Sequence, residues 1–320
     1  MRTMKKFWVS AVVFLTLALF SIEAQAQRKI GVLMFSEEAR YIEALKGIQD
    51  KLREGGFGEP KTIFIVEQAG GNKARAAELA QKFAAEKPDL IITLGTSATV
   101  AVSREIKDVP IVFSVVYDPV EAGIAKGWKS SGNNTTGSSS KIPMSRLMES
   151  LKNFTQVKRL PVLYTPGEKN SESALKDLQR TEVNYKIKVI PVRLTKIEDV
   201  NQLLPEVLRT ADAVYVTGSN LVDSQVVVIA EMATKAKVIT ITHLEDLVEK
   251  GVLLGVCADA YAMGRLAGEK AVKILKGVDP SSIPIESAKK SDVILNMKTA
   301  KKGQFQIPPN LMKTVTRTIE

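Results

Sequence analysis

Short runs of β-branched and apolar residues alternate with longer amphipathic runs along most of the 320-residue chain. The short runs include residues 29–35, 90–94 and 111–116, and the longer runs, such as 38–53 and 261–275, have the apolar spacing of helices. Such alternation predicts parallel sheets with helices on both faces, and strands that are buried on both faces are continuously hydrophobic. The predicted fold class is therefore α/β with doubly wound parallel sheets.

The first 26 residues differ in kind from the rest. Three cations precede a nearly uninterrupted apolar run at 7–20, and Ala24-Gln25-Ala26 is a small-x-small cleavage pattern. This arrangement is typical of a secretory signal peptide, because the apolar run is short for a bilayer core of about 30 Å. An uncleaved membrane anchor is the alternative. We expect residues 1–26 to be removed and the mature protein to be periplasmic.

Composition excludes several classes of active site. Cys257 and His243 are the single cysteine and the single histidine, which rules out a disulfide scaffold, a multi-cysteine zinc site and a catalytic pair of histidines. The motifs of nucleophile elbows, phosphate loops, dinucleotide-binding turns and metalloproteases are absent from the sequence. We therefore predict no enzyme activity, no metal and no cofactor. A glycosidase in which Asp118 acts with Glu245 or Asp259 is the enzymatic alternative.

The charge balance is basic. Without residues 1–26 the chain has 42 basic and 34 acidic residues, a net charge of +8. A nucleic-acid surface would place aromatic side chains beside the cations, but only Trp128 remains of the tryptophans and Phe305 is the only aromatic residue in the basic tail. We expect a solvated basic surface and no nucleic-acid partner. Attraction to an anionic membrane is a weaker alternative.

The segment 127–140 is rich in Gly, Ser, Asn and Thr and has no apolar periodicity. It is the predicted boundary between two sheets. Each half of the chain then contains about four strand-helix units. Two similar α/β halves predict a bilobal protein with a ligand cleft between the lobes.

Polar and small residues follow nearly every predicted strand. Loops at the carboxyl ends of parallel strands hold the ligands of open sheets, so these residues are the candidate binding set. The set is Ser36, Thr96, Ser97, Tyr117, Asp118, Tyr164, Thr165, Asn170, Ser171, Gly218, Ser219, Asn220, His243, Glu245 and Asp259. Free backbone N–H groups at helix starts suit a carboxylate, and Asp118, Glu245 or Asp259 could pair with an ammonium. Together they suit a zwitterion.

Each candidate also has a purely structural interpretation. A Ser or Thr at a helix start is most often a cap, and Asp118 before Pro119 is a common turn. His243 could be structural, and tyrosines at strand ends are usually half-buried packing residues. The prediction of a site therefore depends on the recurrence of polar residues at one edge of both sheets.

Several segments in order resemble one known family. They are 87–96 (KPDLIITLGT), 118–123 (DPVEAG), 134–137 (NTTG), 164–171 (YTPGEKNS) and 255–277. The chain resembles the substrate-binding proteins of ABC transporters that are grouped as the tryptophan/tyrosine-type family, and the similarity spans almost the whole mature chain.

The resemblance implies a type I periplasmic binding fold with two Rossmann-like lobes joined by a hinge. Lobe 1 would contain 27–138 and 259–281, and lobe 2 would contain 139–258 and 282–320. The implied function is capture of a small polar organic ligand by hinge closure for an ABC importer, with a permease and its ATPase at the inner membrane as partners and a monomer as the working form. A sensor that presents its ligand to a receptor kinase or chemoreceptor is the alternative.

By position, seven of the candidates fall where the family's binding loops fall: Thr96, Ser97, Asp118, Asn170, Ser171, Asn220 and Asp259. Two departures concern the ligand. Family members often have Thr-Asp-Asn-Thr where this chain has Gly218-Ser219-Asn220-Leu221, and Ser-Asp where it has His243-Leu244. An acidic partner for an ammonium is missing at both places. An amino acid, a small carboxylate and a purine-like ring therefore remain open as ligands.

Overall fold

The computed structural model describes residues 27–320, so the predicted signal peptide lies outside the described residues. The strands in chain order are β1 (Arg28–Met34), β2 (Thr62–Gln68), β3 (Leu90–Leu94), β4 (Ile111–Val116), β5 (Thr135–Ser139), β6 (Arg159–Tyr164), β7 (Lys188–Arg193), β8 (Ala213–Val216), β9 (Ile239–Thr242), β10 (Leu254–Cys257), β11 (Glu286–Ser287), β12 (Asp292–Asn296) and β13 (Arg317–Ile319). The α-helices are α1 (Ala39–Glu54), α2 (Lys73–Glu86), α3 (Thr96–Glu105), α4 (Met144–Phe154), α5 (Lys169–Gln179), α6 (Glu182–Tyr185), α7 (Glu198–Thr210), α8 (Asn220–Ser224), α9 (Val226–Lys235), α10 (Glu245–Glu249), α11 (Ala260–Leu275), α12 (Met297–Gly303) and α13 (Pro309–Met312).

These strands form two sheets. The first has the order β2-β1-β3-β4-β5-β11 and is parallel throughout. The second has the order β7-β6-β8-β9-β10-β12-β13, and only the β10–β12 pairing is antiparallel. The α/β class with doubly wound parallel sheets is confirmed. Below, lobe 1 means the first sheet with α1, α2, α3 and α11, and lobe 2 means the second sheet with the remaining helices.

The central strands of the first sheet lie where the hydrophobic pattern predicted them. Every residue of β3 and β4 is buried, as expected for strands covered by helices on both faces. The Asn72 side chain caps α2 by accepting hydrogen bonds from the amides of Ala74 and Arg75, 2.8 and 3.1 Å away. Ser97 does not cap α3, because the helix begins at Thr96 and Gly95 occupies the N-cap position.

The segment 127–140 is more than a connection between two sheets, because Thr135–Ser139 is the fully buried strand β5 of the first sheet, and the chain leaves that sheet only after Ser139. Its small residues allow close packing. A Cβ atom on Gly137 would overlap the carbonyl oxygen and the ring of Phe113 on β4. Because β5 consists of Gly, Ser and Thr, it lacks the apolar pattern by which buried strands are recognised.

The hydroxyl groups of β5 are paired, which is why the strand can be both polar and buried. Ser138 Oγ lies 2.9 Å from Ser114 Oγ, and Thr136 Oγ1 donates to the Ile283 carbonyl at 2.9 Å. Ser139 Oγ donates to the Tyr117 carbonyl at 2.6 Å. The neighbouring strand and the returning chain thus provide partners that no local pattern shows.

The chain passes between the lobes after β5, between β10 and α11, and after β11. The two residues of β11 pair with Ser138 and Ser139, so this short strand belongs to the first sheet although 282–320 was assigned to lobe 2. The other lobe boundaries stay a prediction. Helix α11 packs against α1, and both helices contribute glycines at the contact.

The helix contact yields the first prediction. A Cβ on Gly264 would overlap the backbone of Ala44, so Gly264→Ala must separate α11 from α1. Overpacking of this kind costs about 1–3 kcal/mol, and the better helix propensity of Ala offsets about 1 kcal/mol at most. Because the overlap is with backbone atoms, we expect a cost near the upper end and a net loss of about 2 kcal/mol in the free energy of unfolding, measured with urea. In the control Gly127→Ala the nearest atom, Ser130 O, is 3.4 Å from the new Cβ. Equal urea midpoints for the two variants would contradict the prediction.

Candidate functional site

In each lobe, the carboxyl ends of the strands point toward the other lobe. In lobe 1 the direction of winding reverses between β1 and β3, and in lobe 2 it reverses between β6 and β8. Such switch points create a crevice where open sheets bind ligands. A small cavity lies between the two crevices. Its lining residues are Arg40, Tyr41, Thr96, Val115, Tyr117, Ser140, Asn170, Gly218, His243 and Leu244.

A larger groove lies elsewhere on lobe 2, between α4 and the segments that begin β6 and β7. It is open to solvent and is lined by several lysines around an apolar floor, including Lys152 and Lys186. It lies at the amino ends of the strands. We take the smaller cavity as the candidate site, because both lobes and both switch points contribute to it.

Lobe 1 presents the start of α3 to the cavity. Gly95, at φ +93°, occupies the N-cap position, and no side chain among the described residues caps this helix. Thr96, the first helical residue, is buried and lines the cavity. The first amides of a helix lack intrahelical partners and carry the positive end of its dipole. This wall of the cavity therefore favours an anionic group.

Val115 is a strained residue in the wall of the cavity. Its φ angle is +57°, which a β-branched side chain rarely adopts. The pairing of β4 with β5 shifts register between Phe113 and Val116, so the bulge places Val115 in this conformation. Backbone strain of this kind costs about 1–3 kcal/mol and is concentrated at functional sites.

Lobe 2 contributes an unpartnered acceptor. Asn170, near the start of α5, donates from Nδ2 to the Gly218 carbonyl at 2.6 Å. This bond fixes the amide group, while Asn170 Oδ1 is buried without a hydrogen-bond partner among the described residues. Buried polar atoms are rarely left unpaired. An orphaned acceptor on the wall of a cavity indicates that a donor from a ligand or a water completes it.

His243 is held between two tyrosines. Its Nδ1 lies 2.6 Å from the Tyr215 hydroxyl, the two rings are stacked at 6.0 Å, and the Tyr117 ring meets it edge-on at 5.0 Å. Burial, with the Arg40 charge as a second cause, lowers the pKa of His243 to about 3. The imidazole is therefore neutral at physiological pH. With Nδ1 engaged, Nε2 is the nitrogen left to meet a ligand.

Arg40 joins the lobes on one side of the cavity. From α1 of lobe 1, its Nη1 binds Asp223 at 2.8 Å and also binds Asp246, both in lobe 2. Lys250 binds the other oxygen of Asp223 at 2.6 Å. Burial raises the pKa of Asp223, but Arg40 and Lys250 outweigh it and hold this pKa below its usual value. These four residues are called the Arg40 cluster below.

Lys141 joins the lobes on another side. Its Nζ lies 2.7 Å from both Asp118 in lobe 1 and Asp177 on α5 in lobe 2. The Tyr117 hydroxyl donates to Asp177 at 3.0 Å. Burial lowers the pKa of Lys141, but the two carboxylates outweigh this effect and raise it. The lobes are thus in direct polar contact around the cavity.

Five of the sequence-predicted residues line this cavity: Thr96, Tyr117, Asn170, Gly218 and His243. Whether they contact a ligand stays a prediction. Sequence reasoning missed Arg40, Tyr41, Val115, Ser140 and Leu244. Arg40 and Tyr41 lie in the first turn of α1, directly after the β1 switch-point loop. That position was the available signal, but it becomes informative only when the strand order is known.

The structure does not bring the predicted acids into the cavity. Asp118 accepts hydrogen bonds from the amides of Val120 and Glu121 and binds Lys141. Glu245 binds Arg317, and Asp259 caps α11. These three carboxylates therefore have structural partners. The expected acidic partner for an ammonium is not supplied by any of them.

The remaining predicted residues lie near the cavity but outside its lining. Ser36 binds Glu38, Ser97 lines a neighbouring opening, and Tyr164 ends β6. Thr165, Ser171 and Ser219 form a hydroxyl network that caps the loops after β6 and β8. Asn220 Nδ2 donates across the lobes to the Gly71 carbonyl at 3.2 Å.

The structure also bears on metal sites and membrane spans. Among residues 27–320, no group of three or more His, Cys, Asp or Glu side chains is arranged to hold a metal ion. Within the same part of the chain, no helix is long and apolar enough to cross a membrane.

Comparisons with known proteins agree on one family. The model of the family "ABC transporter substrate binding protein" matches residues 29–319. The chain is 28% identical over 286 residues to the tyrosine-binding protein of Clostridioides difficile (strain R20291), covering 89% of this chain and 83% of that one.

Two solved structures are similar as well. The ABC domain in complex with L-Trp from Streptococcus pneumonia has a TM-score of 0.86 and 25% identity, covering 92% of this chain and 100% of that one. The ligand-free, open structure of a substrate binding protein with adhesive properties from Clostridium difficile has a TM-score of 0.72 and 29% identity, covering 91% and 98%. The predicted type I periplasmic binding fold is confirmed.

The buried His243 gives a pH prediction. Its pKa is about 3 in the folded protein and about 6.5 when unfolded, so the unfolded state binds the extra proton as pH falls below about 6.5. His243 then costs about 1.4 kcal/mol of stability per pH unit, or about 2 kcal/mol at pH 5. We expect His243→Gln to lose about 2 kcal/mol less than the wild type between pH 7 and pH 5 in urea unfolding. Parallel losses would show that the histidine is not buried as a neutral group.

Proposed function

Because the chain belongs to the ABC transporter substrate binding protein family, we propose that it is the exported solute-binding component of an ABC importer. It would capture a small polar organic ligand in the cavity between the lobes and present the loaded form to a permease and its ATPase. One observation carries this proposal. The cavity lies where the switch points of both sheets meet and is lined by residues of both lobes.

The proposed ligand class is an amino acid or a related carboxylate or ring compound. The uncapped start of α3 suits a carboxylate, and Asn170 Oδ1 suits a hydrogen-bond donor. The aromatic rings of Tyr41, Tyr117 and His243 line the cavity, which suits a ring compound. The tyrosine named for one relative and the L-Trp bound to another belong to the same chemical class, which supports this choice.

The proposed mechanism is hinge closure around the ligand. Polar bonds between the lobes surround the cavity, so a ligand held by both walls adds contacts that exist only in the closed form. A ligand shifts the equilibrium only by its differential affinity for that form. The structure resembles the L-Trp complex more closely than the open, ligand-free relative, which supports a closed arrangement of the lobes.

The ligand is the first thing to identify. Native mass spectrometry of the mature protein, followed by release of any bound compound, is combined with a thermal-shift screen of amino acids, carboxylates and nucleobases. We expect one molecule per chain and a raised Tm, since a ligand that binds only the folded state must stabilise it. Recovery of the compound unchanged supports a binding protein. Turnover of the compound would contradict the proposal, as would the absence of any shift across the screen.

The Arg40 cluster gives a test of closure. Arg40→Ala would leave Asp223 and Asp246 close together at the interface, and removing one partner of a buried ion pair costs about 3–5 kcal/mol. Opening the lobes would return both carboxylates to water. We expect at least tenfold weaker binding of the ligand found above, measured by calorimetry, and a larger radius of gyration in X-ray scattering.

The matched control is Arg53→Ala on the same helix. Arg53 is 69% exposed and pairs with Asp50, one turn away. This variant should keep the affinity and the radius of gyration of the wild type. If the two variants had the same affinity and the same radius of gyration, the proposed role of the Arg40 cluster in closure would be contradicted.

A further inference from the structure

The charged groups around the cavity distinguish amino acids from carboxylates that lack an amino group. We infer, on the basis of the proposed function, that the ligand is an organic carboxylate without an accompanying α-ammonium group. Arg40 is the one charged side chain among the described residues that line the cavity, and none of them is Asp or Glu. The start of α3 adds the positive end of a helix dipole. Arg40 is itself paired with Glu38, Asp223 and Asp246, so the helix start is the part of the wall that favours an anion, and no carboxylate among the lining residues faces an ammonium.

The carboxylates behind Arg40 are already engaged. Asp223 binds both Arg40 and Lys250, and Asp246 binds Arg40 through Oδ2. Asp246 Oδ1 has no partner among the described residues, but this side chain borders an outer depression with Glu245 and Glu249 rather than the cavity. An ammonium in the cavity would thus find no carboxylate among the lining residues to pair with. A buried charge next to a like charge, without a counter-ion, is strongly disfavoured.

The remaining polar groups of the cavity are neutral. Asn170 Oδ1 accepts a hydrogen bond from any N–H or O–H group, and neutral His243 has Nε2 left for one bond. The Tyr117 hydroxyl is already used by Asp177. These groups suit a ring N–H or a hydroxyl on the ligand. They compensate the charge of an ammonium much less well than a carboxylate would.

Matched ligand pairs test the inference on the wild-type protein. Each pair shares a carbon skeleton and differs in the α-amino group: L-tyrosine with 3-(4-hydroxyphenyl)propanoate, L-tryptophan with 3-(indol-3-yl)propanoate, and L-leucine with 4-methylpentanoate. Calorimetry gives the ratio of the two dissociation constants. We expect the compound without the amino group to bind at least tenfold more tightly in the pairs that bind.

The other outcomes separate the two proposals. If the amino acids bind as tightly or more tightly, the inference about the ammonium is overturned and the binding function stands. If no compound of either kind binds, the ligand class stated under the proposed function fails, and the inference fails with it.

Leu244 offers a way to reverse the preference. Its side chain lines the cavity, and it occupies the N-cap position of α10 without a capping hydrogen bond. Both Asp and Asn are favoured at N-caps, so Leu244→Asp and the control Leu244→Asn differ mainly in charge. We expect Leu244→Asp to shift the ratio toward the amino acid by at least tenfold relative to Leu244→Asn. Equal ratios in the two variants would overturn the inference. If Leu244→Asp does not fold, the ratio of dissociation constants measured on the wild-type protein tests the inference alone.

Discussion

Arg40 brings a positive charge from lobe 1 into an interface where lobe 2 supplies Asp223 and Asp246. All three side chains are buried. Buried ions are tolerated only when they are paired, so this arrangement requires the lobes to be in contact. The position of α1 relative to α8 and α10 and the enclosure of the cavity both depend on it. A ligand that enters this space meets a wall whose charges have largely been satisfied beforehand.

The sequence predicted the elements of the fold better than their arrangement. Continuous apolar runs identified β3 and β4 because burial on both faces leaves a clear pattern. The strand β5 was not predicted, because its hydroxyl groups form their hydrogen bonds with β4 and with the returning chain around Ile283. Such partners are distant in sequence. A local pattern therefore could not reveal that a run of Ser and Thr is a buried strand.

The candidate site was predicted in part for a related reason. Polar residues after the strands led to Thr96, Asn170 and His243, since the carboxyl ends of parallel strands share one edge of the sheet. The predicted acids do not line the cavity, since a carboxylate in a loop is equally suited to capping a turn, as in Asp118. Arg40 was missed because a cation in a first helical turn normally faces solvent. Its partners lie more than 180 residues away in the sequence.

The close contact between α1 and α11 has a mechanical consequence. Gly47 and Gly264 let the two helix backbones approach closely, and close packing of this kind transmits a displacement of one helix to the other. Arg40 lies near the start of α1, and Asp259 lies at the start of α11. Asp259 directly follows Ala258, which comes after the last residue of β10 in lobe 2. If the lobes rotate about this short connection, as the proposed closure requires, the Arg40 guanidinium would move toward or away from its carboxylates.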